Sequence, residues 1–180
     1  SLDVATLLAA LLLVVVQVAG GTGVWLAATA FAAAALAALR LVLWRGWLVR
    51  EVPLLWVLHI GVLWVVLGFG LRGLAALGVV SDAAWVHALG VGAMGTMIIG
   101  VMTRVSLGHT GRELLLPPGM ESVYWLMIAA AMIRVLAGLN LICWYTGLWA
   151  AGVCWSLAFL RFIYGYADIL TSPRVDGREG

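Results

Sequence analysis

HALGVGAMGTMIIGVMTRVSLGHTGREL, residues 87–114, decides how the whole chain is read. It is apolar enough for a membrane span, yet it opens on His87, carries glycines through its middle and closes on His109 among arginines. In an unbroken helix the two imidazoles stand roughly 30 Å apart, so they cannot share a metal within one subunit. Ala88, Gly92, Thr96 and Gly100 recur with a spacing of four. Small residues in that register let a neighbouring helix approach closely, and a flat macrocycle would fit the same surface.

The rest of the chain agrees with a membrane reading. Of 180 residues, 65% are hydrophobic and 10% charged, where a soluble domain carries roughly 25% charged. Mean hydropathy is +1.14. The net charge is +2, and all ten basic side chains are arginine. That sparse charge excludes nucleic-acid binding, which needs a dense basic patch. The first segment has no basic n-region and no convincing cleavage site, so it reads as a span and not as a signal peptide.

A helix crosses the hydrocarbon core in about 20 apolar residues. Six such segments can be drawn, at 4–19, 24–43, 52–71, 83–103, 122–139 and 141–160. Pro53 suits the first turn of the third, and Asp82 the start of the fourth. Gly138-Leu139-Asn140 makes a tight turn between the last two. The expected fold is an all-α integral membrane protein, a six-transmembrane helix bundle over 1–166 with a polar C-terminal tail over 167–180. Six spans place Arg40, Arg45, Arg50, Arg104, Arg112, Arg161, Arg174 and Arg178 on one side and only Arg72 in a loop on the other. By the positive-inside rule both termini are then cytoplasmic.

Chemistry can come from few residues. Cys143 and Cys154 lie about 16 Å apart on one helix and read as small buried hydrophobes. No Cys-x-x-Cys-His, Walker, Rossmann or nucleophile-elbow pattern is present. The only histidines are His59, His87 and His109. Depth suggests an inner site near His59, with or without His109, and an outer site at His87. Arg134 falls inside the fifth span near the depth of His87. An arginine there needs a partner: a carboxylate such as a haem propionate, Asp82, or lipid headgroups reached by snorkelling. His109, beside Gly108 and Gly111, also suits a helix-ending turn.

The pattern of these residues is specific. His87-Ala88-Leu89, Gly92-Ala93-Met94-Gly95, Val101-Met102-Thr103-Arg104 and Leu107-Gly108-His109-Thr110-Gly111-Arg112 resemble the signature of the NnrS family. So do Leu58-His59-Ile60-Gly61 with Trp64, and Ile133-Arg134-Val135-Leu136. The resemblance is strong over 53–139 and covers the flanking spans in character. It implies a multi-pass protein of the bacterial inner membrane that contains haem and copper and serves the response to nitric oxide and nitrosative stress. The family's histidines carry over to His59, His87 and His109, and its arginines to Arg104, Arg112 and Arg134. Members are usually longer, and this chain looks like the C-terminal half, so homo-oligomerisation or pairing with a second six-helix half is implied. Three histidines are few for both a six-coordinate haem b and a copper ion. Binding or detoxification of nitric oxide is the first expectation, and His87→Ala is expected to lose more haem than His109→Ala. A quinol-linked b-type cytochrome carrying electrons and a cofactor-free scaffold or transporter module stand beside it.

Overall fold

The computed structural model describes residues 1–177 and shows six helices joined by short loops, with no strand among the described residues. They are α1 (Leu2–Val18), α2 (Gly23–Leu43), α3 (Pro53–Ala76), α4 (Asp82–His109), α5 (Glu121–Gly138) and α6 (Trp144–Thr171). A short 3-10 turn, Gly46–Val49, links α2 to α3. Five helices, α2 to α6, are long and apolar enough to cross a membrane, and α1 is a shorter apolar helix of 17 residues. The six expected segments thus map one to one onto helices. The last helix runs on to Thr171, past the 166 boundary. Arg178, one of the eight arginines assigned to one side, lies outside the described residues.

The helix ends follow from local chemistry. Pro53 occupies the first turn of α3, where its missing N–H costs nothing. Helices α1, α3, α4 and α5 all stop in the same way. The second residue past the cap donates to a carbonyl five positions back: Gly21 to Val16, Val79 to Leu74, Arg112 to Leu107 and Leu141 to Leu136. This Schellman closure requires a left-handed residue. Gly111 supplies it after α4 with φ of 70°, and Asn140 after α5 with φ of 59°.

Each helix packs on the next, and α4 lies between α3 and α5 while also touching α6. The two faces of α4 differ. Toward α3, Gly100 meets Val57, Gly92 meets the Trp64 ring and Met97 fills the notch at Gly61. Toward α5, Gly95 meets Met127 and Ala84 meets Gly138. The stripe of small residues is therefore occupied by helices on both sides, as small residues in apolar bundles allow. Between Ala88 and Gly95, α4 is a π-helix, a wider turn that recurs at functional sites.

The two ends of the bundle are distinct. At the terminal end, where α1 begins and α6 ends, a core forms from Val57, Ile99, Tyr124, Met127, Phe162 and Tyr166. At the far end the core is Trp64, Ala88, Ala93, Ala131 and Val135. The outward faces carry bare apolar side chains, among them Leu7, Trp149 and Ile163, all more than half exposed. Contiguous apolar surface on this scale calls for lipid or a partner.

Candidate functional site

His59 lines a substantial hollow. His59 stands on α3 beside a groove of about 330 Å³ bounded by α2, the 3-10 turn and α3, with Trp47, Trp56, Ile60, Leu63 and Arg50 around it. The walls are almost wholly apolar and Arg50 is exposed. Three contacts fix the ring. Its Nδ1 lies 3.0 Å from the Leu55 carbonyl oxygen. A carbonyl carries no proton, so Nδ1 must donate, and the neutral ring keeps its lone pair on Nε2. Trp44 meets the ring edge-on at 6.1 Å. Gly46 abuts its face, since a β-carbon there would lie 2.5 Å from Cδ2. Trp44 is held in turn by Arg40, whose guanidinium lies 4.4 Å from the indole centroid and whose Nε is 2.7 Å from Asp3 Oδ1. A ligating histidine is normally oriented through its other nitrogen in this manner.

The remaining histidines lie elsewhere. Leu58 faces Gly100 and Gly61 faces Met97, so His59 is level with about the middle of that stretch of α4. His109 is then about 15 Å further toward the terminal end and His87 about 18 Å toward the far end. The grouping of His59 with His109 is not seen. His109 is exposed, and its backbone carbonyl accepts from Arg174 Nη1 at 2.8 Å. Arg112 Nη1 donates to the Ile169 carbonyl at 3.1 Å. The Leu107–Arg112 stretch is the helix-ending turn anticipated for it, docked against the end of α6 and the residues that follow. Arg104 is half-buried on α4 between Thr103 and this turn.

His87 and Arg134 do come together, through a residue the sequence did not single out. The Trp144 ring lies 6.0 Å from the His87 ring and 4.5 Å from the Arg134 guanidinium carbon. Arg134 lines a cavity of about 220 Å³ with Val91, Leu148 and Trp155, and His87 is not among its walls. Asp82 is not the partner of Arg134. It accepts from Trp85 Nε1 at 2.7 Å and pairs with Arg72 at 3.4 Å. Arg72 Nε also donates to Gln17 at 2.8 Å, which gives the lone glutamine of α1 its role: it ties α1 to α3.

A haem fits the His59 groove: an oriented imidazole nitrogen, apolar and aromatic walls, and a guanidinium at the rim for carboxylates. Among the described residues no three His, Cys, Asp or Glu side chains converge.

The described residues thus form an apolar bundle of six helices, five of them long enough to cross a membrane, with one oriented imidazole beside an apolar groove. The family model described as NnrS protein matches residues 1–174, and the chain belongs to that family. The match takes in α1, α2 and α6 as well as the motif-bearing centre. No curated protein and no solved structure matches the chain.

Proposed function

We propose that this protein is a six-span protein of the bacterial inner membrane that binds b-type haem beside His59 and acts in the response to nitric oxide. The arginine bias places the terminal end in the cytoplasm, so the His59 groove opens toward the inner leaflet. One observation carries the haem assignment. His59 is the histidine that combines a nitrogen locked in ligating tautomer with a hollow of about 330 Å³ next to it.

The bound group would supply an iron able to take nitric oxide, and the chain's own residues do the rest. His59 offers Nε2, and the Leu55 carbonyl keeps the proton on Nδ1. Gly46 and Trp44 set the plane of the ring. Trp47, Trp56 and Leu63 exclude water, and Arg50 at the rim faces the headgroup region where carboxylates would emerge. His59 is the one histidine among the residues that line this groove. Any copper would need donors from a second chain.

A visible spectrum of the purified protein, oxidised, reduced and treated with nitric oxide, tests this reading. A Soret band that shifts on adding nitric oxide supports it. A bis-histidine spectrum indifferent to nitric oxide makes the protein an electron carrier, and a folded but colourless protein leaves a scaffold.

A further inference from the structure

The second hollow, at the far end, asks for a different ligand. Arg134 projects into the cavity of about 220 Å³ between α4, α5 and α6. Trp144 covers one face of its guanidinium at 4.5 Å. Its Nη1 is buried and meets no acceptor among the described residues. A buried charged donor without an acceptor is costly, so something should complete it. The residue sits four positions before the end of α5, about 6 Å below it, the depth at which an arginine reaches phosphates.

The shape of the space narrows the choice. Apart from the Arg134 guanidinium and the Trp155 indole the lining is apolar, so a small free anion would meet a single charged group and mostly hydrocarbon. Gly152 lines the hollow at its exposed side, and a β-carbon there would meet nothing within 4 Å. Across Gly152 the hollow borders a second apolar groove along α6, between Trp149 and Leu157. One cationic donor at the head of an apolar channel is complementary to an amphiphile with an anionic head. Val91, on the opposite wall, comes from the π segment of α4, the kind of irregularity that marks binding sites.

We propose that Arg134 binds the phosphodiester of a phospholipid from the far-end leaflet, with one acyl chain laid over Gly152. The proposal rests on the membrane placement given above and not on haem. It assigns Arg134 away from the macrocycle, on a face of the bundle that His59 does not share.

Native mass spectrometry of the full chain, released from detergent containing dioleoylphosphatidylglycerol, reads this out. The wild type should retain one lipid through delipidating washes. Arg134→Gln should weaken retention about tenfold, the loss expected for a charge-assisted hydrogen bond, and Arg134→Lys should restore part of it. Gly152→Leu should expel the lipid while leaving the guanidinium in place, and it decides the matter if Arg134→Gln does not fold. His59→Ala should keep the lipid. Equal retention by wild type and both cavity variants overturns the proposal. So does displacement of the adduct by inorganic phosphate, or loss of haem in place of lipid in Arg134→Gln. A chain that does not fractionate with membranes would refute the membrane placement itself.

Discussion

The imidazole of His59 rests against the α-carbon of Gly46, with space for a hydrogen atom and none for a methyl group. This contact joins the loop after α2 to the one histidine of α3, and it makes the loop part of the site. Gly46→Val should rotate the ring off the Leu55 carbonyl and lower haem content several-fold. Gly46 lies in an exposed loop region, so unfolding temperature should move little. Soret absorbance per protein, measured alongside thermal unfolding, separates the two effects.

The three histidines should rank by what their rings touch. His59→Ala is expected to abolish haem retention. His109→Ala should retain it, because the contact to Arg174 uses the backbone carbonyl, which alanine keeps. His87→Ala should fall between, through loosened packing on Trp144. Haem content of the three purified variants tests the order. Retention by His59→Ala together with loss in His87→Ala would move the site to the far end.

Gly92 offers a test of packing alone. A β-carbon there would lie 2.5 Å from the ring of Trp64, a large side chain that is itself buried. Gly92→Ala should destabilise the bundle by about 1–3 kcal/mol, the usual cost of overpacking. Unfolding in mild detergent measures it.

Tyr124 probes the buried polar pair at the terminal end. Its hydroxyl lies 2.6 Å from Thr103 Oγ1, and Thr103 also donates to the Gly100 carbonyl at 2.9 Å. Tyr124→Phe therefore removes one hydrogen bond without stranding the threonine. The expected loss is about 0.5–1.5 kcal/mol. Thr103→Val strands the tyrosine hydroxyl in the core and should cost more, since an unsatisfied buried donor carries its full desolvation penalty. Paired unfolding measurements give the sign of the difference.

The helices were legible in the sequence because each is a long apolar run, and most are closed by glycine, proline or asparagine; α2 instead ends on a left-handed Arg45. The 52–71 segment became Pro53–Ala76 and 122–139 became Glu121–Gly138. Helix ends beyond the apolar run were not legible, since Asp168 and the stretch from Arg104 to Gly108 continue as helix on packing that hydropathy does not register. The π segment has no signature in a list of small apolar residues. Of the site, the histidines and Arg134 stood out as rare polar residues among apolar ones. Gly46 and Trp144 did not, because a glycine in a loop and a tryptophan near an interface are ordinary until their neighbours are known. The separation of His59 from His109 needed the register of α3 on α4, which no single-chain pattern contains.

Asp3, Arg40, Trp44 and His59 form a relay from the first turn of α1 to the imidazole. Helix α1 supplies no wall of the groove, yet it can set the angle at which the ring is presented. Changes at the start of the chain should then appear as small shifts in the colour of the protein, before any change in how much pigment it holds. On the haem reading the first helix would then tune the site, and because Asp3 is exposed that effect should weaken as ionic strength rises.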